Sequence, residues 1–317
     1  MTSVLPLLTD YDTYRAWRGD TSRWLPVARE IADGHGLRCD APHVFSTGTN
    51  LVIGIGDDLI LKIFPPFLRP QFVSERAALM QLRGRLCIPI PEIAAVGERD
   101  RWPYLVITRL AGVVGSEVWP SLPDAQKERV LTEIGAVIAE VQRVPPGALS
   151  AIEPRWDVYM RGQIAQCRAR HERLGLPQKL LAGLDDLLRD AAELIPMNAP
   201  PVILVGEYIP ENFLLARSGD GWHVAGLFDF GDVQTGWGEY DLLGPSAFMA
   251  AGHLRRVRSL FDGFGISRED VTFALKRRLM ALMLLHRASD PVRHICIEGW
   301  PEKVGDLVQL LELIWPD

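Results

Sequence analysis

The alternation of apolar and polar positions sets the first third of the chain apart from the rest. "HVFSTGTNLVIGIGDDLILKIF" (residues 43–64) reads as three short strands, separated by "STGTN" and by the hairpin signal "GDD". In the third strand Leu59, Leu61 and Ile63 share one face while Ile60, Lys62 and Phe64 share the other, so a lysine stands alone among apolar neighbours. Burying an unpaired ammonium costs several kcal/mol, so Lys62 needs a partner unless it snorkels to water from a sheet edge. The next segment, "QFVSERAALMQLRGRL", switches to helical period with Phe72, Leu79 and Leu86 on one stripe. Glu75, three residues after Phe72 and four before Leu79, falls on that stripe as well. An inward lysine and an inward glutamate on adjacent elements are candidates to pair. "RWPYLVITRLAGV" predicts a strand running into a loop, and the strand-rich pattern ends there, near Leu110–Val113.

Beyond that point helical period dominates. "SLPDAQKERVLTEIGAVIAEVQRV" opens with a serine cap and a proline and places Val130, Ile134, Val137, Ile138 and Val141 on one face. "LLAGLDDLLRDAAELI" predicts a second helix, and three more are expected around residues 240–264, 268–288 and 302–315. Two apolar runs interrupt this pattern. "LVGEYIPENFLL" (residues 204–215) is a strand that breaks into a polar loop and re-emerges, and "HVAGLFDFGD" is a strand ending in a carboxylate, with "ARSGDGW" as the hairpin turn between them. Strand ends of this kind commonly carry chemistry, and these two would bring Glu207, Asn212 and Asp229 to one spot.

Composition narrows what that spot does. With 317 residues, 48% hydrophobic and 23% charged, the chain is expected to form two globular domains or lobes. A formal charge of −6 disfavours nucleic-acid binding. No apolar run is long enough to span a bilayer, and "MTSVLPLLTDYD" lacks the basic start and apolar core of a secretory signal, so a cytoplasmic location is expected. Cys39, Cys87, Cys167 and Cys296 are too scattered for a metal clip or a disulfide framework.

A lysine braced by a glutamate can hold nucleotide phosphates, and an asparagine with an aspartate supplies the hard oxygen donors that magnesium prefers. G-x-x-x-x-G-K-[ST] and G-x-S-x-G are absent, and "GIGDDL" lacks the third glycine and the helix of a dinucleotide fingerprint. The order of lysine strand, glutamate helix, "WPYLVITRLAG", the loop ending in Asn212 and the "FDFGD" strand resembles the aminoglycoside phosphotransferase family, most nearly its hygromycin B kinase branch, over about residues 42–250.

The resemblance implies an α+β, two-lobed protein-kinase-like fold. Its β-rich nucleotide-binding N-lobe spans residues 1–109, with an N-terminal helical extension over about 1–40, and a mainly helical C-lobe spans 110–317. It also implies ATP, with GTP as an alternative, Mg2+, and transfer of the γ-phosphate to a hydroxyl of a small molecule, cationic aminoglycosides such as hygromycin B included. Carried over by position, Lys62 holds phosphates, Glu75 braces it, Asn212 and Asp229 bind magnesium, backbone groups from Ile107 to Leu110 meet adenine, and Ser46, Gly48 and Asn50 belong to a flap over the phosphates. Asp241 ties down the catalytic loop, or else caps a helix. Asp232 closes a turn or approaches a second metal.

One departure stands out. The family has His-Gly-Asp, four residues, then Asn, whereas here Val205, Gly206 and Glu207 precede Asn212. Glu207 thus occupies the position of the catalytic aspartate. Its carboxylate is as basic but lies one methylene further out, which leaves two readings: a working kinase that uses Glu207 as base, or a nucleotide-binding pseudokinase with a regulatory or scaffolding role.

Overall fold

The computed structural model describes residues 4–39, 42–45, 48–250 and 252–317. The chain divides into two compact units, the first comprising residues 1–84, 89–111 and 227–233 and the second 85–88, 112–226 and 234–317. The main change of unit therefore falls at Ala111, close to where the strand pattern ends. Only folding reveals that the "LFDFGDV" segment joins the first unit.

The first unit opens with helices α1 (Tyr11–Arg18) and α2 (Thr21–Gly34), capped by the carboxylates of Asp10 and Asp20. Strands β1 (His43–Phe45), β2 (Leu51–Ile55) and β3 (Leu59–Ile63) follow, then α3 (Arg69–Leu82), β4 (Ile93–Arg99) and β5 (Trp102–Thr108). The five strands form one antiparallel sheet in the order β1-β2-β3-β5-β4. β3 is central, and Lys62 sits opposite Val52 on one side and Leu105 on the other. One sheet face meets the helical extension in a core that includes Trp24, Ile31, Ile53, Leu61, Ile63, Trp102 and Val106. The alternation predicted this, since Leu61 and Ile63 face the core while Lys62 faces away from it. The segment Leu227–Val233 is anchored by the Leu227 N–H donating to the Pro89 carbonyl at 3.1 Å.

The helix predicted to carry Phe72, Leu79 and Leu86 is shorter than the spacing suggests. α3 stops at Leu82, and Gly84 at φ +65° turns the chain before Leu86 is reached. Within the helix, Phe72, Glu75 and Leu79 are buried as expected, and Leu82 is buried with them.

In the second unit the elements are β6 (Val113–Val114), α4 (Gly115–Val118), α5 (Asp124–Arg143), α6 (Trp156–Arg173), α7 (Gln178–Leu194), β7 (Val202–Leu204), β8 (Phe213–Ser218), β9 (Gly221–Leu227) and β10 (Gln234–Gly236). They are followed by α8 (Leu254–Phe264), α9 (Phe273–Leu285), α10 (Pro291–His294), α11 (Trp300–Lys303) and α12 (Leu307–Ile314). The α5 stripe is buried as predicted, from Val130 to Val141. Its expected serine cap is not used: the helix starts at Asp124 after Pro123, and the Ser121 hydroxyl instead donates to the Val118 carbonyl.

Backbones of α5 and α8 meet at a glycine pair. A Cβ on Gly135 would lie 2.2 Å from the Leu260 carbonyl oxygen, and one on Gly263 would lie 2.0 Å from that of Thr132. The helix expected over 240–264 is broken: a 3-10 turn (Gly238–Leu242) and a π turn (Gly244–Met249) precede α8, and Gly252 at φ +74° separates them from it. The segment 302–315 is likewise split, with Val304–Asp306 between α11 and α12. Sequence period missed α6, whose polar faces carry little amphipathic signal. Among the described residues no helix is long and apolar enough to cross a membrane.

Candidate active site

The buried lysine has its partners. The Lys62 Nζ lies 2.6 Å from Glu75 Oε2 and 2.7 Å from Asp229 Oδ1, and Lys62 is 5% exposed. β3 supplies the lysine from the middle of the sheet, α3 supplies the glutamate from its inward stripe, and the chain after β9 supplies the aspartate. Asp229 has φ +66°, in the left-handed region that aspartate tolerates better than most residues, and this turns its carboxylate onto Lys62.

The three groups titrate against one another. Burial pushes the Glu75 carboxyl up to about 7, opposed by Lys62. For Asp229 burial acts in the same direction, but the Lys62 charge and hydrogen bond, with the Gly231 N–H, bring its carboxyl below the usual range. Burial alone would lower the Lys62 amine; Asp229 and Glu75 together raise it well above an ordinary lysine.

A second polar chain runs beside this cluster. The Asn50 Nδ2 donates to Gln71 Oε1 at 3.1 Å, and the Gln71 Nε2 donates to Asp232 Oδ1 at 3.0 Å. Asn50, assigned by position to the flap, is buried and tied down, with its Oδ1 buried and without a hydrogen-bond partner. Gln71 was missed because a glutamine on a helix reads as solvated surface. Asp232 lies in the turn favoured by its sequence, and its carboxylate holds that turn to α3. Gly48 is exposed at φ +85°, and its carbonyl accepts a hydrogen bond from Arg18 at the end of α1. The flap position Ser46 lies outside the described residues.

At the end of β5, where the sequence placed the adenine contacts, some backbone N–H groups already have partners. Ile107 is buried within the strand, the Thr108 N–H donates to the Glu92 carbonyl at 2.9 Å, and the Arg109 N–H donates to that of Asp58 at 2.7 Å. Leu110, half-buried, is the next residue with an N–H to offer.

In the second unit, β7 runs into the loop that carries Glu207. Asp241, 1% exposed, accepts the Val205 N–H at 3.1 Å and the Gly206 N–H at 2.8 Å with its two oxygens. It thus ties the loop, as its position implied, rather than capping a helix. Gly206 adopts φ +84°, which a side chain would strain. At the far end of the loop the buried Asn212 donates its Nδ2 to the Glu207 carbonyl at 3.0 Å. The Glu207 side chain is half-buried, with the Arg287 guanidinium 3.7 Å away. Arg287 carries no sequence signal, since it follows α9 some 80 residues later.

The APH model, described as a phosphotransferase enzyme family, matches residues 46–272, well over half of the chain. The chain belongs to the phosphotransferase enzyme family. Comparison with curated proteins gives no match. Among solved structures, the GDP complex of wild-type aminoglycoside 2'-phosphotransferase-IIIa is similar with a TM-score of 0.68 at 18% identity, over 91% of this chain and 97% of that one. The streptomycin-ATP-APH(2")-IIa ternary complex gives 0.55 at 11% identity, over 81% and 86%. The apoenzyme of macrolide 2'-phosphotransferase MphH from Brachybacterium faecium gives 0.56 at 19% identity, over 81% and 90%. At these identities the likeness is one of fold, and it places this family member in the protein-kinase-like class that the sequence suggested.

The residues present suit a nucleotide and a hard cation. A phosphate oxygen can replace a carboxylate on the Lys62 amine, and Asp229 is held ionised with one oxygen committed to Lys62. Among the described residues no three His, Cys, Asp or Glu side chains form a metal cage, and Mg2+ characteristically takes only one or two carboxylates and keeps several waters.

Asp241 offers a direct test of the loop. Burial pushes its carboxyl up to about 7, against the two N–H groups it accepts. Asp241→Asn places an amide NH2 against one of those donors and is expected to destabilise the protein by about 2 kcal/mol at about pH 5. The folded protein binds this proton more tightly than the unfolded chain, so wild-type stability falls as pH rises from about 4 to about 7. The variant lacks this contribution, and the difference between the two shrinks towards pH 8. Urea denaturation at the two pH values checks both points, and a gap that widens with pH refutes the assignment.

Proposed function

We propose that the protein is an ATP- and Mg2+-dependent phosphotransferase that moves the γ-phosphate of a nucleoside triphosphate to a hydroxyl of a small molecule. The observation that carries this reading is the buried Lys62 amine held between Glu75 and Asp229 at 2.6 and 2.7 Å, in a chain of the phosphotransferase enzyme family. A buried ion cluster of this kind is poor value as a stabilising device, because the desolvation of its charges offsets their attraction.

When bound, MgATP supplies the transferable phosphoryl group and neutralises much of its charge. Lys62 would donate to phosphate oxygens with Glu75 keeping the amine in place, and Asp229 would be the carboxylate that holds the cation. Asn212 offers its Oδ1, since its amide nitrogen is spent on the Glu207 carbonyl. Leu110 presents its N–H to the base. Glu207 would accept the proton of the acceptor hydroxyl as that oxygen bonds to the γ-phosphorus and the bond from the γ-phosphorus to the bridging oxygen breaks, with ADP leaving on that oxygen. The similar structures include GDP and ATP complexes, so both triphosphates belong in the test.

The test is a thermal-shift titration combined with a transfer assay over a panel of hydroxyl compounds, hygromycin B among them. At about 100 times Kd, MgATP or MgGTP is expected to stabilise the fold by about 2.7 kcal/mol, or about 5 °C, and at least one acceptor is expected to be phosphorylated. Absence of any Mg2+-dependent nucleotide stabilisation overturns the reading. Leu110→Pro, which removes the N–H, is expected to weaken nucleotide binding about tenfold, the worth of about one hydrogen bond. Calorimetry checks it, and unchanged affinity removes Leu110 from the base-binding role.

A further inference from the structure

We infer that the acceptor is a hydroxyl compound with at most one positive charge and a flat ring face, rather than a polycation. The inference rests on the phosphotransferase reading and concerns the surroundings of Glu207 in the second unit. A polyamine acceptor is recognised by carboxylates left without internal partners, because each ammonium group brought near the base needs a counter-charge. Around Glu207 the carboxylates nearest a group of aromatic side chains already have internal partners.

Glu207 itself faces Arg287 at 3.7 Å. The neighbouring His286 stacks on Tyr240, with ring centroids 4.8 Å apart and planes at 23°. Tyr240 shares a hydroxyl contact of 2.8 Å with Tyr159 and meets the edge of Trp156 at 5.6 Å. Tyr240 directly precedes Asp241, which holds the backbone of Val205 and Gly206, so this aromatic group is built onto the Glu207 loop.

Three further acids beside the aromatic group are committed. Glu239, beside Tyr240, is gripped by Arg278 through two nitrogens, one of them 2.6 Å from Oε1, with both side chains largely buried. Asp157, beside Trp156, pairs with Arg161 and, at 3.5 Å, with Arg155. Asp290, after His286, caps α10 by accepting the Arg293 N–H. Glu207, Glu239 and Asp157 thus stand against Arg287, Arg278, Arg161 and Arg155, and Asp290 is spent on a cap, so the acids beside these rings already have internal partners. An ammonium approaching Glu207 meets Arg287, and recruiting Glu239 means breaking a bidentate, partly buried pair. What this surface offers is the half-buried rings of Tyr159 and His286, with Arg287 as a hydrogen-bond donor. That chemistry suits a ring bearing hydroxyls.

The experiment compares ADP release from MgATP with kanamycin and streptomycin as polycations against p-nitrophenyl glucoside and erythromycin, which carry no amine and one. At least one of the latter pair is expected to exceed kanamycin at least tenfold in kcat/KM, with little dependence on salt. Arg287→Glu is expected to raise kcat/KM for kanamycin relative to the better weakly charged acceptor by about tenfold, a readout that a merely structural role for Arg287 would not produce. Preference of the wild-type protein for kanamycin or streptomycin overturns the inference, as does turnover of neither class while MgATP still stabilises the fold. If MgATP gives no stabilisation, the phosphotransferase reading fails first and this inference falls with it.

Discussion

Glu207→Gln is expected to lower kcat about 10³-fold, within the 10²- to 10⁴-fold range of a lost general base, while leaving MgATP affinity within about twofold of wild type. The amide preserves the volume and the ability to meet Arg287, so it removes the proton acceptor and little else. The loop should keep its shape, because its restraints are the Asp241 bonds to Val205 and Gly206 and the Asn212 bond to the Glu207 carbonyl, none of which uses the Glu207 side chain. Glu207→Asp is the companion variant. It gives the position the residue type that the resemblance implies but withdraws the carboxylate by about an ångström, and in a loop set for glutamate it is expected to cost roughly 100-fold. Single-turnover kinetics and nucleotide titration on both variants check the pair. Full turnover by Glu207→Gln removes the base assignment, and higher activity in Glu207→Asp than in wild type shows that the loop is set for the shorter side chain.

Lys62→Met should have a second large effect, on folding as well as on nucleotide. Deleting the ammonium leaves Glu75, 1% exposed, facing Asp229 with no counter-charge. Stripping a buried ion cluster of one partner costs about 3 to 5 kcal/mol, and the full amount is expected near pH 8. The carboxyl of Glu75 already sits at about 7 with the lysine present, and without it the proton is held more tightly still. The folded variant then binds more protons than its unfolded chain above about pH 4, so its stability falls as pH rises and recovers towards pH 5.5. Adding Glu75→Gln to Lys62→Met should restore much of the loss at pH 8. The nucleotide-induced thermal shift is expected to vanish in both. Chemical denaturation at the two pH values, with and without MgATP, decides the matter: an equal loss at both refutes the uncompensated-carboxylate account, and a retained nucleotide shift refutes the phosphate role of Lys62.

Much of this site could be read from local pattern. Period-two alternation put Lys62 on a strand among apolar neighbours, period 3.6 put Glu75 on the buried stripe of α3, and the penalty for an unpaired buried charge argued for joining them. The polar interruption between Leu204 and Phe213 marked the Glu207 loop by the same logic. Helix limits were less legible. Gly84, Gly252 and the break between α11 and α12 end or divide helices whose apolar spacing continues past them, because spacing records which side chains are buried and not whether the backbone between them stays helical.

What the amino-acid order fixed, then, was the identity of each element and the side on which its chemistry stands, since alternation and helical period are local and one strand or one turn suffices to show them. Folding alone decided which distant groups meet: Asp229 with Lys62 across 167 positions, Gln71 with Asp232, Asp241 with the Val205 and Gly206 amides, Arg287 with Glu207. These polar pairings follow from how the sheet and helices pack. Their strength comes from burial that no single segment can provide, so they leave no periodic trace in the chain.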